Sequence, residues 1–264
     1  MADVRTQKEE DATQAVRQVF DQIAFRYDFL NDLFSGFIHH HWMRVLVREE
    51  PCSVETKVLD VCTGTADVAI AIARHNSKAR IVGLDISEKM LSLAKAKIAR
   101  LKLEDRIELC WGDGLAMPLA DQSVDVVFNS FGLRNQGDYK KALTEMARVL
   151  KFQGRINILE FTRPANIVIR SVYLFYLTRI MPVVSRFFLK ERASFDYLSR
   201  TIKHFPAPDV VAQLMRDCGF AQVCVKPLTG GIACLYRATR VPADGGQGPR
   251  GAQGKSCYHE DRSR

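Results

Sequence analysis

The 264-residue chain has no CxxC pair among its seven cysteines, no internal repeat, and no uninterrupted apolar run of the roughly 20 residues that cross a bilayer. Without paired CxxC spacing a zinc site is not expected. An odd set of thiols with no N-terminal signal peptide is the pattern of reduced cysteines in a cytoplasmic protein. The greasiest region, 164–192, is interrupted by Arg170, Arg179 and Arg186, and Pro182 is expected to break a spanning helix there. It reads either as core-packing helices with arginine outward or as a basic amphipathic segment lying on a membrane surface. No nucleic-acid-reading motif accompanies the formal charge of +8, which suits anionic lipid as readily as RNA. His39, His40 and His41 are consecutive; helical neighbours point about 100° apart, so these three are not expected to converge on one ion, and no metal site is expected.

What is present concentrates in residues 57–85, KVLDVCTGTADVAIAIARHNSKARIVGLD. Val58, Leu59 and Val61 spell a buried strand and Gly64 a tight turn. Val68, Ala69, Ile72 and Ala73 make a small-residue stripe at helical spacing. Ile81, Val82 and Leu84 spell a second strand with Asp85 at its carboxyl end. This is a nucleotide crevice of the doubly wound, mostly parallel α/β type, in which ligands sit beyond the strand ends. Asp85 is placed for ribose hydroxyls, and Asp60 ends the first strand.

The three-glycine cradle for a pyrophosphate is missing: at the Cys62, Gly64, Asp67 spacing only the middle position is glycine. S-adenosylmethionine carries no phosphate and needs close backbone approach with acidic or hydroxyl acceptors, which Asp60, Gly64, Thr65 and Asp67 supply. An NAD site would also use an acid like Asp85, and an ordinary tight turn remains the plainer alternative. A third strand, Ile107–Cys110, leads into Trp111, Gly112, Asp113 and Gly114. There an acid commonly meets an adenine amino group in such enzymes, and Trp111 or Met117 is available to pack on the ring. A fourth strand, Ser123–Phe128, leads into a polar loop carrying Ser130, Arg134 and Asn135, where function concentrates in this architecture.

With those segments in view, the chain resembles the ubiquinone/menaquinone biosynthesis C-methyltransferases, a class I family dependent on S-adenosylmethionine. The resemblance is carried by YDFLNDLFSGFIHHHW (27–42), VLDVCTGTAD (58–67), SFGLRN (130–135), RVLKFQGRINILEFT (148–162) and SFDYLSRTIKHFP (194–206). It implies cofactor contacts at Thr65, Asp85, Asp113, Gly114 and Ser130. The family usually has glycine where Ala66 stands, often glycine at Thr63, and Lys-Pro-Gly-Gly where Lys151, Phe152, Gln153 and Gly154 stand. A methyl at Ala66 is costly wherever the backbone angle φ is positive, by about 1 kcal/mol or more.

The size and the 47% hydrophobic content suit one catalytic domain. Residues 1–50, with Val16, Val19, Phe20 and Ile23 at helical spacing, are expected to form a helical lid. Residues 51–240 are expected to be the methyltransferase domain with inserted helices, and the Gly-rich 241–264 a disordered tail. The resemblance implies a polyprenylated quinol acceptor, demethylmenaquinol or the methoxybenzoquinol of the ubiquinone pathway. On its own residues, segment 164–192 is open to three readings: peripheral contact with the inner membrane face, a greasy tunnel for an isoprenoid tail, or core packing. The ring carbon becomes nucleophilic as the quinol loses a phenol proton, so groups that stabilise the phenolate carry the catalysis. Arg134, with Asn135 beside it, is the residue for that role, because a guanidinium with a pKa above about 12 does not itself accept the proton. His39, with an ordinary value near 6.5, is a candidate acceptor. Tyr27 or Asp28 is placed to orient the ring. Capping and packing of the lid remain the alternative for His39 and Tyr27. Methylation of another small molecule or of RNA, and a non-catalytic or dehydrogenase-like nucleotide-binding module, stay open.

Overall fold

The computed structural model describes residues 7–50, 55–188 and 193–242. Three helices come first: α1 (Gln7–Ile23), α2 (Tyr27–Ser35) and α3 (Ile38–Arg48). Gly36, at φ +56°, ends α2 in the left-handed region and turns the chain into α3. Then strands and helices alternate through β1 (Lys57–Val61), α4 (Asp67–His75), β2 (Arg80–Asp85), α5 (Glu88–Arg100), β3 (Ile107–Trp111), β4 (Val124–Ser130), α6 (Tyr139–Val149) and β5 (Leu150–Phe161). Alternating short apolar strands and helices force parallel pairing, because each crossover helix returns the chain to the same sheet edge. Side-chain caps fix where helices begin. Ser87 accepts from the Met90 N–H at 3.1 Å, and Asp138 accepts from the Lys141 N–H at 3.0 Å.

After β5 the chain leaves the sheet through α7 (Ile167–Phe175), α8 (Met181–Phe188), α9 (Ala193–His204) and α10 (Pro208–Asp217), and returns as β6 (Phe220–Leu228) and β7 (Ala233–Arg240). The sheet order is β3-β2-β1-β4-β5-β7-β6, with β7 antiparallel to both neighbours. Strand order reverses between β1 and β4, and a crevice opens at their carboxyl ends. Asn129 adds a side-chain tie between the two paired strands at the foot of that crevice, its amide donating to the Val61 carbonyl at 2.9 Å.

Both sheet faces are covered, which is why β1 and β4 read as near-continuous apolar runs. Val58, Val126 and Phe128 pack toward residues of α3, α4 and α5; Leu59, Val61 and Val127 pack toward α6 and α10. β4 continues two residues past the expected Phe128. Asn129 and Ser130 pair with Ile158 and Leu159 of β5, so backbone pairing holds polar residues in the strand.

Pro182 does not break its helix. α7 and α8 are joined by a π-helical turn, Tyr176–Ile180, into one continuous helix. The wider turn just before Pro182 absorbs the missing N–H and the ring's clash with the preceding turn. Ile167–Val184 has a mean hydropathy of 1.5 and is long and apolar enough to cross a membrane by length and composition, although Arg170 and Arg179 interrupt it. The expected tail lies almost wholly outside the described residues, as do Cys52 and Cys257; the five described cysteines are free thiols.

Truncation of the fully buried Phe128 to alanine is expected to cost about 3–5 kcal/mol in urea unfolding, against about 0.5 kcal/mol for the half-exposed Val210 of α10. Equal losses at both positions would contradict the assignment of the core.

Candidate active site

The loop from β1 to α4 is wound tightly. Cys62, Gly64 and Ala66 all have positive φ, at 59°, 56° and 66°. Winding brings the Gly64 N–H within 2.8 Å of Asp85 Oδ2 and the Thr63 N–H within 3.0 Å of the Leu84 carbonyl. Ala66 therefore carries the left-handed strain that glycine avoids, offset by a methyl that is fully buried against the α4 core. Beneath the loop, Asp60 is buried and accepts the Thr63 hydroxyl at 2.6 Å. Burial pushes its pKa up to about 7, against the opposing bonds from Thr63 and the Ala69 backbone.

Asp85 closes β2. Its second oxygen accepts the Ser87 N–H at 2.9 Å, and burial raises its pKa despite these backbone bonds. With the Ile86 N–H also bonded to it, three of about four lone-pair positions are used, so the carboxylate retains capacity for a ligand hydroxyl. Asp85, Gly64, Asp113, Gly114 and Ser130 line a cavity of about 60 Å³. Asp113 is oriented by the Leu115 N–H at 2.8 Å. The Ser130 hydroxyl is buried and has no partner in the protein, an unmet polar group that a ligand would satisfy. Trp111 and Met117 do not line the crevice as expected. Trp111 is 55% exposed with its indole N–H on the Ile86 carbonyl at 3.0 Å, and Met117 is buried in the core, where it belongs to the packing under β4.

A larger cavity of about 750 Å³ adjoins the first and shares Tyr27, Cys62, Ser130, Phe131 and Asn135 with it. Its walls are mostly apolar and come from α1 to α3, from the α7–α8 helix and from α9. Asp60, Thr65, Arg134 and His39 also line it. At its floor Phe131 takes φ +57°, which aims its carbonyl at the next turn. Arg134 Nη1 and the Asn135 amide both donate to that carbonyl. Gly132 is required here, since a Cβ would lie 2.6 Å from the Asn129 amide and 2.7 Å from Cys62 Cβ.

Arg134 is buried and paired with Glu160 at the end of β5, Nη1 to Oε1 at 2.7 Å. Its guanidinium carbon lies 5.2 Å from the Phe161 ring centroid and 5.9 Å from that of Phe131. Trp42 completes this aromatic wall and is held by its indole N–H on Thr229 Oγ1 at 2.8 Å. Asn135 Oδ1 accepts from the Tyr197 hydroxyl of α9 at 3.2 Å.

The N-terminal helices are tied to the loop by charge. Lys97 of α5 bridges Asp28 of α2 at 2.6 Å and Asp67 of α4 at 2.7 Å, and Thr65 donates to Asp28 at 2.6 Å. Asp28 is thus a latch and lines neither cavity, unlike Tyr27, whose ring lies against Gly64. Burial raises the Tyr27 phenol pKa. His39 departs from its expected titration. Burial, with a smaller contribution from His40, pushes its pKa down to about 4. Ser35 donates to the Asn31 carbonyl at 2.6 Å, so at 2.7 Å it accepts from His39 Nδ1–H and leaves the Nε2 lone pair open. The histidines also depart from the expected divergence. His39 and His40 rings lie 4.0 Å apart, and their Nε2 atoms face the same Asp32 oxygen, at 3.8 and 2.7 Å. The turn between α2 and α3 tilts both rings toward Asp32.

Tyr27, His39, Asp60, Gly64, Thr65, Asp85, Asp113, Gly114, Ser130, Arg134 and Asn135 therefore line one or both cavities, whereas Asp28, Trp111 and Met117 line neither. Glu160, Tyr197 and Lys97 were not singled out. The first two lie inside family-like segments, and an acid at a strand's carboxyl end was the available signal for Glu160.

A parallel sheet reversing at β1 and β4, with acids at the ends of β1, β2 and β3 around a glycine-bearing loop, defines a class I methyltransferase that uses S-adenosylmethionine. Solved structures share this fold. A SAM-dependent methyltransferase from Aquifex aeolicus matches with a TM-score of 0.54 at 19% identity, covering 75% of this chain and 89% of that one. The [4+2]-cyclase SpnF matches with a TM-score of 0.65 at 14% identity, covering 87% and 96%. The model of the ubiE/COQ5 methyltransferase family matches residues 5–240, and the chain belongs to that family. Among its relatives are proteins named demethylmenaquinone methyltransferase. That of Alkalihalophilus pseudofirmus is 37% identical over 84% of this chain and 94% of its own length. That of Halalkalibacterium halodurans is 36% identical over 89% and 96%.

The raised pKa of Asp60 has a measurable sign. An unfolded aspartate titrates near 4, so between about pH 4 and 7 the native state holds the extra proton and Asp60's contribution to stability falls as pH rises. His39 works oppositely: its depressed pKa makes stability rise between about pH 4 and 6.5. Asp60→Asn removes the first contribution alone. Relative to the parent it should gain up to about 1.4 kcal/mol per pH unit in urea unfolding between pH 5 and 7. A pH-independent difference would place Asp60 at an ordinary aspartate value.

Proposed function

We propose that this methyltransferase methylates a ring carbon of a polyprenylated quinol, with demethylmenaquinol as the acceptor. The observation that carries the reading is the large apolar cavity opening directly onto the strand-end crevice, with one buried arginine at the junction. An apolar cavity of that volume suits a fused aromatic ring followed by isoprene units better than a polar amine or a nucleic acid. The names carried by the relatives agree with this acceptor.

Asp85, which keeps acceptor capacity beyond its backbone bonds, takes a ribose hydroxyl, and Asp113 with Gly114 takes the adenine edge. Ser130, Gly64, Thr65 and Asp60 face the amino-acid end. When bound, S-adenosylmethionine supplies an electrophilic methyl for in-line displacement. The chain's task is to align the ring within about 3–3.5 Å and to favour the phenolate that makes its carbon nucleophilic. Arg134 serves the phenolate: its Nε–H is buried without a partner in the protein. Asn135 and Tyr27 orient the ring. With a pKa of about 4, His39 acts as a hydrogen-bond acceptor through Nε2, because at neutral pH it would hold a proton only weakly.

Mass spectrometry of quinones after incubation with S-adenosylmethionine and reduced demethylmenaquinone should show one added methyl, and none with the oxidised ring. Methylation of neither ring would end the reading. Arg134→Ala should retain cofactor binding and lose turnover by about 100-fold or more.

The same reading places the α7–α8 helix against anionic lipid. Ile167, Val168, Val172, Phe175 and Val183 are more than half exposed on a helix that also carries Arg170 and Arg179. Ile167→Glu combined with Val183→Glu alters exposed positions outside both cavities. The pair should weaken sedimentation with phosphatidylglycerol vesicles without altering turnover of a short-chain quinol in detergent. Unchanged sedimentation would remove this face from membrane contact.

A further inference from the structure

We infer that Glu160 is a positioning residue that fixes the direction of Arg134 and cancels part of its charge, and so sets the pH at which the bound phenol ionises. The inference rests on the quinol reading for its chemistry and on this structure for its geometry. Glu160 is fully buried at the end of β5, and each of its oxygens is occupied. Oε1 accepts from Arg134 Nη1 at 2.7 Å and from the Phe161 N–H at 2.9 Å; Oε2 accepts from the Arg134 backbone N–H at 3.0 Å. The carboxylate thus grips the arginine at both ends, backbone and guanidinium. The Phe131 carbonyl engages Nη1 a second time.

With one edge of the guanidinium held this way and its plane beside Phe131 and Phe161, Nε–H is left as a buried donor without a protein partner. A guanidinium free to rotate would not keep one N–H pointed at a bound oxygen, and the grip removes that freedom in advance. Its second consequence is electrostatic. Arg134 and Glu160 together carry no net charge, so the phenolate meets a dipole with the positive end nearest and not an isolated cation. The titratable groups that feel this pair from surrounding elements are tyrosines: Tyr27 of α2, Tyr139 of α6, Tyr173 of α7, Tyr197 of α9 and Tyr236 of β7. Burial raises each of them, so they stay neutral at working pH and leave Glu160 as the counter-charge.

Two substitutions separate direction from charge. Glu160→Gln removes the negative charge and should move the ascending limb of the kcat–pH profile down by about one to two units, the scale of one charge removed at close range. Glu160→Asp keeps the charge but withdraws the carboxylate by one methylene. It should lower kcat about tenfold or more with the limb in place and affinity for S-adenosylhomocysteine unchanged. A parent-like limb in Glu160→Gln together with parent-like kcat in both variants would overturn the inference. Should Glu160→Gln leave Arg134 buried, unpaired and unable to fold, Arg134→Met with Glu160→Leu removes both charges at once. Retained turnover in that pair would also overturn it. Nitrogen-15 NMR of the Arg134 side chain reads the grip without any substrate. Slow N–H exchange in the parent, accelerated in Glu160→Asp, is expected, and equal exchange would count against the inference. Failure of the parent to methylate any quinol, with the NMR difference intact, would count against the substrate reading alone.

Discussion

β1 and β4 lie side by side in the sheet, but the helices that follow them pack on opposite faces, and everything chemical in this molecule hangs from the crevice this leaves at their carboxyl ends. Asn129 holds its two sides together through the Val61 carbonyl, Asp60 lies beneath it, and Ser130 leaves a buried hydroxyl unmet inside it. Parallel pairing makes β1 to β5 end on the same side, so the acids of β1, β2 and β3 converge there without any long-range design of the loops. The N-terminal helices that cover it need little more than a greasy underside and a fastening, and Lys97 with Asp28 and Asp67 is the fastening.

The electrostatics of the site follow from how dry it is. Burial is the largest cause that drives Asp60 up and His39 down, with nearby like charges adding to it, in both cases toward the uncharged form. Arg134 keeps company with a buried carboxylate. A pocket meant for a greasy quinol cannot tolerate bare charges on its walls, and the described walls carry charge that is protonated away, depressed or paired. That leaves local dipoles and single hydrogen bonds to discriminate one ring position from another.

Much of this was legible in the chain. β1, α4 and β2 follow from Val58, Leu59, Val61, the stripe at Val68 to Ala73, and Ile81 to Leu84, because apolar spacing is a short-range signal. The loop glycine and the acids at strand ends follow from the same reasoning. The misjudged features depend on tertiary geometry. Pro182 stays inside a helix because a π turn precedes it, and no local pattern announces a widened turn. Trp111 faces away from the crevice because its indole finds the Ile86 carbonyl, a partner 25 residues earlier in the chain. His39 and His40 converge only because Asp32 arrives from a separate helix. Glu160 escaped notice since its importance lies in a partner 26 residues away.

The continuous helix through the π turn is at once a wall of the apolar chamber and an exposed flank of the molecule. An acceptor whose hydrocarbon tail outgrows the chamber therefore has only one helix thickness to pass before it is outside the protein. Under the quinol reading, recognition ends with the head group and the first units of the tail. Acceptors that differ only in isoprene units beyond the chamber then present the protein with the same contacts.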